Sequence, residues 1–168
     1  MRRFQMGRGY NYKCKKCRKD YQLRLGAGWS LPDIYVETVE AIRQGAFGEE
    51  YRRLFDSEAF ICVDVEKDLF ICRSCGRWRA EASMNLYEPN DPEAVSQEME
   101  GDELGKKLGY DPYMTRFVLE RDYHLKKRRI HMCECGKRMH RASGKELELL
   151  ACPRCRTMNP VKEYLMWD

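Results

Sequence analysis

The sequence predicts an α+β fold of two small four-cysteine β subdomains, the first carrying an inserted helical hairpin. Three observations predict it. Eight of the nine cysteines fall into four close pairs, Cys14 with Cys17, Cys72 with Cys75, Cys133 with Cys135, and Cys152 with Cys155. Short apolar runs, Phe70-Ile71 before Cys72 and Leu149-Leu150-Ala151 before Cys152, lead into two of these pairs as strands do. Between the first two pairs, apolar residues recur at helical spacing instead.

Each pair suits a metal. Zn²⁺ takes four soft ligands in a tetrahedron, and a spacer of one or two residues lets one tight turn offer two thiolates to the same ion. Four pairs therefore supply two all-cysteine sites and two zinc ions per chain, with Cys62 left over. Gly76 and Gly136 follow Cys75 and Cys135 at once, and glycine adopts the positive φ that such a turn requires. Arg156 stands at the corresponding place after Cys155, where glycine would be expected. In the runs Phe70 to Gly76 and Leu149 to Cys155, the chain resembles the zinc-ribbon, or rubredoxin-like knuckle, class. That resemblance covers the neighbourhoods of the pairs and implies a metal-binding scaffold rather than a particular function. The single spacer Glu134 departs from the usual two residues.

Spacing suggests which pairs share an ion. Sixteen residues separate Cys135 from Cys152, enough for one hairpin with strands at 137–142 and 146–151 turned by Ser143-Gly144-Lys145. Cys14 and Cys17 then join Cys72 and Cys75 by elimination, across fifty-four residues. The exchanged pairing stays open, because a long-range closure satisfies the same ligands. Iron in a four-thiolate site accepts the same geometry as zinc, and a redox dithiol is a further alternative. A disulfide framework needs an oxidising compartment, whereas Met1-Arg2-Arg3-Phe4 opens no apolar signal segment and no run approaches the ~18 apolar residues of a membrane span. The expectation is a cytoplasmic protein without a membrane segment, whose close cysteine pairs bind metal.

Composition says what the metals are for. Of 168 residues, 35% are charged, and the mean hydropathy is −0.74. Small subdomains with so few apolar residues bury little, while a structural zinc contributes on the order of 10 kcal/mol of apparent folding free energy. The cysteines are expected to be a folding frame.

Between the first pairs, Ser30 is a candidate helix cap, and Leu31, Ile34, Tyr35, Val39 and Ile42 follow on one face until Gly45 stops the helix. A second helix fits 48–55, and strands fit 59–65 and 69–72, with Cys62 a small core residue in the first. Pro89, Asn90, Asp91 and Pro92 then break the pattern and acidic residues dominate. The expected division is 1–88 as an N-terminal ribbon, 89–111 as an acidic linker with a short helix at 93–104, and 112–168 as a C-terminal ribbon. In the last, Asp111-Pro112 can open a helix, but alternation of Phe117, Leu119, Tyr123 and Leu125 favours a strand.

Charge is the functional clue. Residues 1–30 carry nine Lys or Arg against Asp20 alone, residues 31–111 nine against nineteen acidic, and residues 112–168 thirteen against seven. Two basic ends thus flank an acidic middle. Arg2, Arg3, Arg8, Lys15 and Lys16, in a stretch that also holds Lys13, Arg18 and Lys19, are interleaved with Tyr10 and Tyr12. Cations for phosphates and aromatic faces for unpaired bases are what single-stranded RNA or DNA rewards. Lys126, Lys127, Arg128, Arg129, Lys137, Arg138 and Arg141 form the C-terminal counterpart. Nucleic acid is the expected partner; a protein adaptor role, in which the same charges meet an acidic protein, is the alternative. No phosphate-cradling glycine loop, HExxH helix or nucleophile elbow is present, and four cysteines close a zinc sphere that a catalytic site would leave open. A non-enzymatic module is expected.

Overall fold

The computed structural model of the protein describes residues 7–167. It contains both helices and strands. The strands, numbered along the chain, are β1 (Gly7–Lys13), β2 (Asp20–Leu25), β3 (Cys62–Val63), β4 (Lys67–Ile71), β5 (Trp78–Ala82), β6 (Leu86–Pro89), β7 (Tyr123–Lys127), β8 (His140–Arg141), β9 (Leu149–Ala151) and β10 (Met158–Trp167). The α-helices are α1 (Leu31–Arg43), α2 (Glu49–Ser57), α3 (Pro92–Glu100), α4 (Glu103–Leu108), α5 (Arg116–Asp122) and α6 (Gly144–Glu148). No helix among the described residues is long and apolar enough to cross a membrane.

Two compact units result, and each draws on segments from both sides of residues 89–111. The first comprises the described residues of Met1–Gly28, Glu66–Ala82 and Ile130–Asp168; the second comprises Trp29–Val65 and Ser83–Arg129.

In the first unit, β1 pairs antiparallel with both β2 and β10, and β10 pairs with β9, giving the order β2-β1-β10-β9. The period-2 alternation of β2, with Tyr21, Leu23 and Leu25 buried and Asp20, Gln22 and Arg24 exposed, gives this sheet one core face. Tyr10 and Tyr12 of β1 lie on that face, and the Tyr12 and Tyr21 rings stack at 5.0 Å. Three aromatic side chains also donate to carbonyls of the α6–β9 segment. Tyr12 reaches Leu147 at 2.6 Å, Tyr21 reaches Leu150 at 2.7 Å, and the Trp78 indole reaches Ala151 at 2.7 Å. A smaller sheet, β5-β4-β8, completes the unit.

Gly7 and Gly9 allow close packing in β1. A Cβ on Gly7 would run into the Trp167 ring, and one on Gly9 would sit 3.1 Å from the Leu165 Cβ.

The second unit contains the inserted helices. α1 buries Leu31, Tyr35, Val39 and Ile42, as its spacing requires, and Gly45 at φ 85° follows it. Ser30, however, belongs to a 3₁₀ turn, Gly28–Ser30, and its side chain makes no capping bond. α2 buries Tyr51, whose hydroxyl donates to the Met84 carbonyl at 2.8 Å. β3, β6 and β7 form an antiparallel sheet. Cys62 in β3 is buried, and desolvation pushes its thiol up to about 12 although Tyr35 and Tyr123 hydrogen-bond it. In the same unit, Arg116 and the buried Asp64 form an ion pair at 2.8 Å.

Two segments depart from the strands expected of them. Residues 116–122 are helical because the Thr115 hydroxyl accepts the Val118 N–H and nucleates α5, so Leu119 is buried and Phe117 exposed before β7 begins at Tyr123. Residues 144–148 are helical because Ser143 and Glu146 form a capping box, so the expected hairpin turn is a helix start. That leaves only His140–Arg141 as strand in 137–142, paired with β4. Likewise, 59–65 retains only the two residues of β3, after Phe60 at φ 62°.

Candidate metal centres

All eight paired cysteines lie in the first unit and converge as two groups of four. Cys14, Cys17, Cys152 and Cys155 form the first centre; Cys72, Cys75, Cys133 and Cys135 form the second. This is the exchanged pairing, not the sequential one that loop length favours. The reason is the central sheet: registering β1 against β10 brings the turn after β1 beside the turn before β10, and so joins the first cysteine pair to the last.

The four turns share one backbone design. In each, the first cysteine's N–H donates to the carbonyl two residues beyond the second cysteine: Cys14 to Lys19 at 2.9 Å, Cys72 to Arg77 at 2.8 Å, Cys133 to Lys137 at 2.8 Å and Cys152 to Thr157 at 2.8 Å. The residue after the second cysteine donates back to the first cysteine's carbonyl, at 2.8–3.0 Å in all four. That residue has positive φ every time: Arg18 at 62°, Gly76 at 70°, Gly136 at 79° and Arg156 at 65°. The short spacer at Glu134 is accommodated within the same pattern.

The sulfurs fit a tetrahedral metal. With metal–sulfur bonds of about 2.3 Å, adjacent thiolates stand about 3.8 Å apart. Cys14 and Cys155 are at 3.4 Å, Cys17 and Cys152 at 3.6 Å, Cys72 and Cys135 at 3.6 Å, and Cys75 and Cys133 at 3.5 Å. Within each group all four ligand atoms lie within 4.8 Å of one another. Each group can therefore hold one metal ion.

The thiols are unequal before a metal arrives. The Cys17 N–H points at the Cys14 sulfur and lowers that thiol to about 6 against the opposing effect of burial. The Cys75 N–H does the same for Cys72, also to about 6. At Cys17 the Lys19 N–H acts in the lowering direction, yet burial and the neighbouring sulfurs raise the thiol to about 11. At Cys135 the Lys137 N–H is likewise outweighed, and the value is about 11. Cys155 is also held below the ordinary thiol value by its hydrogen bonds to Thr157, so acidity is unevenly spread within the first centre, and metal binding releases the protons that remain.

The centres differ in their surroundings. In the first, every cysteine is buried or half-buried; in the second, Cys75 and Cys135 are exposed. The first is also tied by Asn159, which is wholly buried. Its Oδ1 accepts the Lys15 N–H at 2.9 Å, and its Nδ2 donates to the Tyr21 hydroxyl at 3.2 Å and the Thr157 carbonyl at 2.8 Å. One side chain thereby fastens the first cysteine turn to the last. No local sequence pattern marks it.

The basic residues expected to meet nucleic acid are placed very differently from one another. Arg2 and Arg3 lie outside the described residues. Arg8 is exposed on β1, but Tyr10 and Tyr12 are core residues with no face free for a base. Lys126 pairs with Glu88 at 2.9 Å, Lys127 with Glu50 at 2.6 Å and Arg141 with Asp68 at 3.1 Å. Arg129 lies over the rings of Tyr51 and Phe47, 5.3 and 5.9 Å from their centroids, and Arg128 is exposed with no such partner among the described residues. Lys137 and Arg138 are exposed on the second centre's rim, where Arg77 pairs with Glu134.

Lys15 and Lys16 are exposed on the first centre's rim, with Arg18 and Lys19 beside them and Arg154 and Arg156 contributed by the last cysteine turn. Among the described residues, none of these six enters an ion pair. Arg154 and Arg156 were not evident as candidates, although the missing glycine after Cys155 was a signal for one of them.

No family model, curated protein or solved structure matches the chain.

Proposed function

We propose that this chain is a non-enzymatic, zinc-stabilised module of two interleaved ribbon-type centres that binds nucleic acid through its phosphate backbone. One observation carries the reading. Six exposed cations, Lys15, Lys16, Arg18, Lys19, Arg154 and Arg156, surround the first centre without an acidic partner among the described residues. A rim of unpaired positive charge on a rigid frame is the electrostatic footprint of a polyanion site. Zinc suits the frame because closed four-thiolate spheres are its structural form. With Tyr10 and Tyr12 buried, the contact reads charge rather than stacked bases, and little sequence preference is expected.

Binding of a fluorescent 20-nucleotide single strand, followed by anisotropy across a salt series, tests this. If all six cations engage phosphates, the logarithm of the association constant falls against the logarithm of salt with a slope of about −4. Absence of binding at low salt, in protein retaining both metals, overturns the proposal.

A further inference from the structure

Four equivalent positions in the cysteine turns require positive φ, and the chain fills them in two ways. The second centre uses Gly76 and Gly136, the residues that tolerate this conformation freely. The first centre uses Arg18 and Arg156, at φ 62° and 65°. An L side chain at positive φ is strained wherever it occurs, and such strain collects where the side chain has work to do. Here it is carried twice, at matching places on the two turns that enclose one centre, and by the same residue type each time. Both side chains are exposed, and neither pairs with an acidic group among the described residues. Packing and internal ion pairing therefore do not account for them.

Resting on the nucleic-acid reading above, we infer that Arg18 and Arg156 form a two-armed phosphate clamp over the first centre, and that the second centre is a structural counterpart without one. Cys17 and Cys155, which immediately precede the two arginines, belong to a sulfur cluster spanning no more than 4.8 Å, so the arms spring from adjoining turns. The guanidinium group suits phosphate because its planar donors engage two oxygens at once. Lys15, Lys16, Lys19 and Arg154 flank the clamp and supply the surrounding field. The ligand is a chain of phosphodiesters; an acidic protein segment offers carboxylates to the same cations and is the outcome to be distinguished. The arginines could instead serve only to offset the negative charge of a metal tetrathiolate, a role that makes a different prediction.

The test replaces both arginines with the residue the second centre uses. Arg18→Gly/Arg156→Gly removes the side chains and relieves the backbone. Its expected behaviour is two metals retained, a thermal midpoint no lower than wild type, and affinity for the 20-nucleotide strand reduced on the order of a hundredfold, about tenfold per arginine. The salt slope shrinks by about 1.4. Arg18→Lys/Arg156→Lys keeps the charge and the strained backbone, so its slope stays near wild type while the forked contacts, and part of the affinity, are lost. Lys137→Ala/Arg138→Ala removes equal charge from the other rim and is expected to cost far less affinity.

An unchanged affinity in the glycine variant, or a loss no greater than that of Lys137→Ala/Arg138→Ala, overturns the clamp while leaving nucleic-acid binding intact. Loss of a metal ion with affinity otherwise preserved shows that the arginines serve the metal and overturns it too. Equal wild-type affinity for polyglutamate of the same charge ends the phosphate assignment, and a wild type that binds no strand at low salt ends both readings.

Discussion

Replacing Asn159 with alanine should loosen one metal and spare the other. Asn159 makes three side-chain hydrogen bonds at 2.8–3.2 Å from a wholly buried position, and they join Lys15 of the first cysteine turn to Thr157 of the last. Alanine leaves the Lys15 N–H without its acceptor, while the Thr157 carbonyl keeps the Cys152 N–H and Tyr21 keeps its bond to Leu150. At about 1 kcal/mol net for each bond, and more for a buried group stranded without a partner, the cost is about 3 kcal/mol or somewhat above. Because site formation and folding are one equilibrium in such domains, the loss appears as roughly a hundredfold weaker metal retention at the first centre. The second centre has no ligand in this network. Competition with a chromogenic chelator should therefore resolve two phases, only one of them displaced in Asn159→Ala, and the displaced phase should be the one missing from Cys14→Ser. Asn159→Asp keeps an acceptor for Lys15 but sets a carboxylate oxygen against the Thr157 carbonyl, and should be at least as costly. Equal shifts of both phases, or a shift of the first-centre phase below about threefold, would refute the argument that this side chain locks the first centre.

The grouping of cysteines predicts which losses are redundant. Cys14→Ser and Cys152→Ser should each cost one metal equivalent and cost no more in combination, whereas Cys14→Ser with Cys72→Ser should cost both, as read by elemental analysis of dialysed protein. In the second unit, Arg116→Met deprives the Asp64 carboxylate of an ion-pair partner at a site where the two side chains are only 2% and 11% exposed. Breaking such a pair should destabilise by about 3–5 kcal/mol, and a urea-unfolding change under about 1 kcal/mol would show the pair to be solvent-screened instead. Cys62, held at about 12 by burial, should be only about one part in ten thousand thiolate at pH 8 and resist iodoacetamide until the protein unfolds. Mass analysis of peptides after timed alkylation checks this, and rapid native labelling at pH 8 would contradict it.

The cysteines, α1 and α2 were legible because each is encoded within a few residues: two ligands in one turn, or apolar positions recurring every three or four. Their pairing was not, because loop length measures only closure entropy, which grows slowly, while the deciding contacts are those of β1 with β10 at opposite ends of the chain. The Ser143-to-Glu146 capping box was present in the sequence but lay inside a segment read by its alternation. Tyr10 and Tyr12 show how composition misleads. Among so many cations they resembled a stacking surface, yet their period-2 placement with Tyr21 and Leu23 across the β1–β2 ladder puts all four on the core face. Asn159 and the Arg154/Arg156 contribution depended on turns meeting in space, which no local pattern reports.

A centre made from the first and last cysteine turns also acts as a clasp and as a clock. During synthesis, Cys14 and Cys17 emerge early and wait for Cys152 and Cys155, whereas the second centre can close once Cys135 is made. Closing the longer loop costs only about 0.8 kcal/mol more in chain entropy, so the delay is one of order rather than of affinity. Once closed, the clasp makes the connection between the chain's two ends independent of the intervening backbone. A chain cut between Ala82 and Ile130 would keep its two pieces joined by both metals, because each centre takes one cysteine pair from either side of the cut, and withdrawing the metals would leave the β1–β10 and β4–β8 ladders to hold them.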